Sequence, residues 1–166
     1  FLALRGVEGD YNDATSLVMR ALSDASGTDR LRLLNQLGSV QLRAKNNEGA
    51  IKTFREVVRL DRGNPVAFNN LAWLLTTLEN KPDEALPLAR QAVELSPLEP
   101  TFLDTLTEVY VRQGDHQAAM NSRLSRLRLQ PNSPDLLKEI AEAWIDQFQD
   151  APSARPYADA SPRQNH

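Results

Sequence analysis

Apolar residues return at steps of three and four along most of this chain, as in Leu34, Leu37 and Val40 and again in Ile51, Phe54 and Val57. This period is typical of helices that bury one face. Asparagine, glycine and proline divide the chain into short helical segments. Proline can occupy the first position of a helix, because the backbone N–H that it lacks is not needed at that position. The pattern predicts an all-α chain with helices at 1–7, 10–23, 29–44, 47–60, 65–79, 82–95, 99–113, 116–129 and 134–148.

The helical segments repeat with a nearly constant period. Four short motifs at helix starts contain Ala14, Ala50, Ala85 and Ala119, which are 36, 35 and 34 residues apart. A leucine followed by a small residue precedes the last three of them, at Leu37-Gly38, Leu71-Ala72 and Leu106-Thr107. Small residues let the two helices of a pair cross closely. A helix pair that repeats at this spacing predicts a stacked helical array.

On this period and these small residues, the chain resembles the tetratricopeptide repeat family over most of its length. The resemblance implies a right-handed α-solenoid of antiparallel helix pairs, with about 3.5 repeats and a capping helix at the C-terminal end. The expected units are a truncated repeat at 1–28, repeats at 31–64, 65–99 and 100–133, and the cap at 134–148. We expect residues 149–166, which hold three prolines and little to bury, to be a disordered tail.

Three strings give a closer resemblance, at 69–75, 89–95 and 102–106. They look like bacterial tetratricopeptide proteins that are linked to exopolysaccharide export and to exosortase (PEP-CTERM) sorting. That resemblance implies a scaffold on the periplasmic side of an envelope assembly. The sequence itself leaves the compartment open: the resemblance favours the periplasm or the envelope, and the cytoplasm is the alternative. Because the chain begins inside a helical pattern, we interpret it as a piece of a longer protein.

In such solenoids the first helices of successive pairs line a concave surface that binds a partner protein or peptide. The resemblance places thirteen residues on that surface: Arg32, Asn35, Gln36, Ser39, Arg43, Asn69, Asn70, Trp73, Thr77, Asp104, Thr105, Glu108 and Arg112. Asn69 and Asn70 are the leading candidates, because a carboxamide can both donate to and accept from a peptide backbone. The alternative is that these asparagines belong to a solvated face. The surface should run from basic at Arg32 and Arg43 to acidic at Asp104 and Glu108, which favours a ligand of mixed charge.

Two tryptophans and two arginines leave alternatives open. Trp73 is either an aromatic anchor in the groove or a core residue, whereas Trp144 is in phase with Leu137 and Ile140 and is expected in the core. Arg123 and Arg126 stand where the family has core residues. Either the helix is rotated so that Met120, Leu124 and Leu127 form its buried stripe, or the arginines pair with the acidic residues of the capping helix: Asp135, Glu139 and Glu142.

Composition argues against several other functions. A net charge of −3 predicts no nucleic-acid partner, and no apolar run reaches the ~20 residues of a membrane span. Without cysteine and with only His116 and His166, we expect no metal, no cofactor and no enzymatic activity. The sequence therefore predicts a non-catalytic protein-binding scaffold. A direct polysaccharide-binding or export component is the alternative, although the groove offers only Trp73, with Tyr110 as a second candidate, for stacking on sugars. Leu17, Val18 and Leu22 of the truncated repeat also leave self-association open.

Overall fold

The computed structural model describes residues 8–148, and within that range the chain forms helices without strands. Successive helices are joined by connections of two to four residues. The helix predicted at 1–7 and the tail predicted at 149–166 lie outside the described residues. There are eight helices in this range: α1 (Glu8–Asp24), α2 (Gly27–Arg43), α3 (Asn47–Leu60), α4 (Pro65–Thr77), α5 (Pro82–Leu95), α6 (Pro100–Gln113), α7 (His116–Leu129) and α8 (Pro134–Phe148).

Helix starts follow local capping chemistry. The side chains of Asn46, Asn64 and Asp115 each accept a hydrogen bond from a backbone N–H in the first turn of the helix that follows. Proline occupies the first turn of α4, α5 and α6. The bounds predicted for α3, α5, α7 and α8 agree with the structure, whereas α4 ends two residues before the predicted end and α6 begins one residue later than predicted.

Each helix packs against the next along the chain, and α4 also packs against α6. The small residues at the predicted crossings, Ala50, Ala72, Ala85 and Ala119, are all fully buried. Gly38 on α2 faces the ring of Phe54 on α3, which is itself only 1% exposed. One hydrophobic cluster extends from Leu22 to Ala119 through these contacts. The expected α-solenoid of helix pairs is therefore confirmed.

Helix α8 closes the C-terminal end of the array. Leu136 and Ile140 of α8 pack with Met120 of α7, and Leu124 and Leu127 lie against the same cluster. The predicted apolar stripe of α7 is thus present. Both arginines nevertheless pair with α8, so the two alternatives occur together. Trp144 packs against this cluster but is only partly buried.

The ion pairs of α7 converge on one glutamate of α8. The Arg123 Nε lies 2.9 Å from the Glu139 Oε1, and the Arg126 Nη1 lies 3.4 Å from the Glu139 Oε2. Within the described part of the chain, Asp135 and Glu142 form no ion pair with either arginine. Glu142 instead lies 3.7 Å from the Lys138 Nζ. Of the three acidic partners proposed from the sequence, Glu139 alone is correct for these arginines.

Candidate functional site: the concave groove

The residues predicted on the concave surface of such a solenoid lie on α2, α4 and α6, the first helices of three successive pairs, and this candidate surface is called the concave groove. Its middle is the inner face of α4, where Val66 is 54% exposed and Trp73 is 39% exposed. Seven residues of helix place these two side chains on one face, about 10 Å apart along the axis. Asn69 and Asn70 lie between them. Of the two alternatives left open for Trp73, its exposure disagrees with the core position. Val66 was not among the predicted groove residues.

Asn69 and Asn70 differ in their surroundings. Asn69 is only 7% exposed, and its buried Oδ1 accepts no hydrogen bond from any residue that the structure describes. A buried carbonyl oxygen without a donor is costly, and few occur in native proteins. Asn70 is half-buried and makes no side-chain hydrogen bond within the described residues. Of the two leading candidates, Asn70 therefore has a carboxamide that a ligand can reach, whereas the Asn69 Oδ1 is buried.

On α2, one of the predicted site residues is already engaged in the fold. The Asn35 Oδ1 accepts a 3.0 Å hydrogen bond from the Asn64 Nδ2, and the Asn35 Nδ2 donates to the Leu31 carbonyl at 2.9 Å. Asn64 also accepts from the Ala67 N–H at 3.0 Å, so its side chain joins α2 to the start of α4. The pattern of polar positions did not reveal this bridge. Asn35 is thus a structural contact between repeats.

Beside Asn35, the surface of α2 falls into a depression of about 420 Å³. Residues from α1 and α2 line it: Val18, Asn35, Gln36, Ser39, Val40 and Arg43. Arg43 and Gln36 are exposed and form no ion pair or side-chain hydrogen bond with a described residue. Arg32, in contrast, lies 3.3 Å from the Asp29 carboxylate. Two of the side chains predicted on α2 therefore remain available to a ligand.

At the α6 end, the acidic residues have arginine partners. Glu108 Oε1 lies 2.7 Å from the Arg112 Nε, and Asp104 pairs with Arg126 of α7. Arg126 was not predicted near the groove, yet it connects the groove to Glu139 of the capping helix. The pairing changes the expected gradient, because carboxylates held by arginines attract a basic ligand less strongly than unpaired ones.

Burial raises the pKa of Asp104 above its ordinary value, and the nearby Glu139 carboxylate adds to that shift, whereas Arg126 opposes it. Away from the groove, a hydrogen bond from Lys81 lowers the pKa of Glu79. The raised pKa of Asp104 shows that its partial burial disfavours the charged form more than its arginine partner favours it.

The remaining predicted groove residues carry hydroxyls that bond to their own helices. Ser39 donates to the Asn35 carbonyl and Thr77 to the Trp73 carbonyl. Thr105 is buried and donates to the Thr101 carbonyl. Tyr110, the second aromatic considered for sugar stacking, is 9% exposed, and its hydroxyl accepts from the Arg90 Nε at 3.1 Å. That suggestion for Tyr110 was wrong, because the ring is packed in the core.

Within residues 8–148, no three histidine or carboxylate side chains are grouped so that they could hold a metal ion. None of the helices in this range combines the length and the apolar character needed to cross a membrane.

The sequence of the second helix pair identifies its type. Residues 31–64, which include most of α2 and all of α3, match the family model for the tetratricopeptide repeat. This segment is similar to a tetratricopeptide repeat. No curated protein matches the sequence. Solved tetratricopeptide structures share the fold of the whole array, at sequence identities too low to show more than the fold.

Three of these structures illustrate the likeness. A crystal structure of MamA is 18% identical in sequence and has a TM-score of 0.78; the alignment covers 91% of this chain and 84% of the MamA chain. YrrB, described as a TPR protein with an unusual peptide-binding site, is 19% identical in sequence and has a TM-score of 0.76. The alignment covers 91% of this chain and 76% of the YrrB chain. The first TPR of Spaghetti (RPAP3), bound to an HSP90 peptide, is 18% identical in sequence and has a TM-score of 0.66. The alignment covers 73% of this chain and 95% of the RPAP3 chain.

Proposed function

We propose that this tetratricopeptide chain is a non-catalytic scaffold that binds an extended segment of a partner protein in its concave groove. The observation that carries the proposal is the inner face of α4, where Val66 and Trp73 are exposed on either side of Asn69 and Asn70. Solvent-exposed tryptophan is a common interface anchor, and the Asn70 carboxamide can pair with a peptide backbone. YrrB and the RPAP3 domain are described with peptide sites, which supports a peptide as the ligand here.

The polysaccharide alternative has less support from the groove. Sugar rings stack on exposed aromatic side chains, and Trp73 is the aromatic exposed on the described groove, since Tyr110 is buried. We therefore favour a protein partner. Placing this scaffold in a bacterial envelope or polysaccharide-secretion assembly is part of the proposal, and it rests on the resemblance of the three strings at 69–75, 89–95 and 102–106.

Self-association through the first repeat is also proposed. Of the three apolar residues of α1 on which this idea was based, Leu17 is 54% exposed, whereas Leu22 is buried in the core and Val18 packs against it. The proposal therefore rests on Leu17 alone of these three. We further propose that the chain divides into the units assigned above: a truncated repeat at 1–28, repeats at 31–64, 65–99 and 100–133, the cap at 134–148 and a tail at 149–166.

Photo-crosslinking at two positions tests the groove. A crosslinking amino acid replaces Asn70 in the groove or, as the matched control, the exposed Arg59 on α3, the second helix of its pair. Both proteins are irradiated in lysate of the source cell, and the products are identified by mass spectrometry. We expect a discrete protein adduct at position 70, and its loss when Trp73→Ala is added. Equal adducts at positions 70 and 59 would contradict a groove site, and crosslinked polysaccharide would favour the alternative.

A further inference from the structure

The charges of the groove favour one class of partner segment. Asp104 pairs with Arg126, and Glu108 with Arg112, so the acidic end predicted from the sequence is neutralised within the fold. At the other end, Arg32 is paired with Asp29. Arg43 is the groove cation for which the described residues supply no carboxylate. The charge that remains for a ligand is therefore positive and lies on α2.

Arg43 also has apolar surface next to it. The depression that Arg43 shares with Val18 and Val40 is large enough for a side chain, and the exposed ring of Trp73 lies on α4, the next inner helix. An arginine beside apolar surface binds a carboxylate more strongly than an arginine in open water, because less of the interaction is screened. The two features would suit a segment that carries both an acidic and an apolar side chain.

We propose that the groove selects an acidic, apolar peptide segment of a partner protein, with a carboxylate on Arg43 and a bulky apolar side chain on Trp73. The carboxamides of Gln36 and Asn70 lie on the two helices concerned and are available to the backbone between these two anchors. This inference rests on the proposed function, since it specifies the ligand of the same groove. It also reverses the preference for a ligand of mixed charge, because the acidic residues of the groove have internal partners.

Short synthetic peptides test the inference without knowledge of the natural partner. Each is an acetylated, amidated chain of glycine and serine with one phenylalanine and one glutamate, and the glutamate is placed in turn at each position after the phenylalanine. Matched sets carry glutamine or lysine at the same place. Binding is followed by ¹H–¹⁵N spectra of the whole chain, with the Trp73 indole and the α2 amides as reporters.

We expect the glutamate peptides to bind best and to shift the signals of α2 and of the Trp73 indole. Arg43→Gln should weaken the best glutamate peptide about tenfold and leave its glutamine counterpart nearly unchanged, because a charge-assisted hydrogen bond is lost. Arg43→Glu should reverse the preference in favour of the lysine peptide. Arg59→Gln on α3 is the control for Arg43→Gln, because both substitutions remove one positive charge. Circular dichroism verifies the folding of each variant.

The outcomes separate this inference from the function on which it rests. If all three peptide sets bind equally and shift the α4 signals, the groove binds peptides but the acidic preference is overturned. Preference for lysine, or a tenfold loss with Arg59→Gln as well, also overturns it. If no peptide produces saturable shifts, neither the acidic segment nor peptide binding in the groove stands.

Discussion

Gly38 lies at the crossing of α2 and α3, where no larger residue fits. A Cβ atom on Gly38 would lie 2.8 Å from the Cε1 and Cζ atoms of Phe54. Because Phe54 is fully buried, its ring cannot move away without disturbing its own neighbours. The small residue at this position of the repeat is therefore a packing requirement of the pair.

We expect Gly38→Ala to lower the free energy of unfolding by up to about 2 kcal/mol. Overpacking costs about 1–3 kcal/mol, and the higher helix propensity of alanine recovers about 1 kcal/mol of it. Gly63→Ala is the control, because its new Cβ would meet only the Asp61 Oδ1, at 3.4 Å. Urea unfolding measures both, and a stabilised Gly38→Ala protein would show that the ring of Phe54 can relocate.

The sequence predicts the position of a groove residue better than it predicts whether the side chain of that residue is free to contact a ligand. Repeat position put Asn35 and Asp104 on the inner face, but their partners, Asn64 and Arg126, come from 29 and 22 residues further along the chain. Such pairings depend on how helices cross, which no local pattern contains. Val66 was missed for a related reason, since an apolar residue at helical spacing is normally part of the core.

Helices themselves were predictable where a chemical signal marks the end. Asn64-Pro65 begins α4 as predicted, because asparagine caps the first turn and proline suits its first position. The end of α4 carries no such signal. Leu78 follows Thr77 as an ordinary residue, and the chain turns at Asn80 with a φ of 51°. Apolar periodicity continued to Leu78, so the helix was predicted two residues too long.

The docking of α8 depends on Glu139, so Glu139→Gln should lower the free energy of unfolding by about 1–3 kcal/mol. Arg123 and Arg126 have side chains only 14% and 19% exposed, and the substitution removes the carboxylate that both contact. Glu142→Gln, three residues away, removes only an exposed pair with Lys138 and should cost about 0.5 kcal/mol or less. Unfolding in urea at low salt, without guanidinium, compares the free energies of unfolding of the two variants. Equal losses would mean that the ion pairs do not hold α8.

Across the whole molecule, stability should be local, because helices of a solenoid contact mainly their neighbours. Ile140 is fully buried between α7 and α8, whereas Ile145 of the same helix is 47% exposed. Ile140→Ala should cost about 2–5 kcal/mol and speed hydrogen exchange in α7 and α8 while α3 and α4 keep their protection. Ile145→Ala is the matched control with little expected change. Uniformly faster exchange along the chain would show that the array unfolds as one unit.

The hydrogen bonds between repeats cover short stretches of sequence. Asn35 to Asn64 and Arg55 to Glu84 span 29 residues, and Asp83 to Gln113 spans 30. Proteins dominated by such local contacts have low contact order and need little loop closure before contacts form. During synthesis from the N-terminus, each pair therefore has its stabilising neighbour as soon as about one more repeat has left the ribosome. The chain can acquire its fold progressively, with only the most recently made helices exposing apolar surface at any moment.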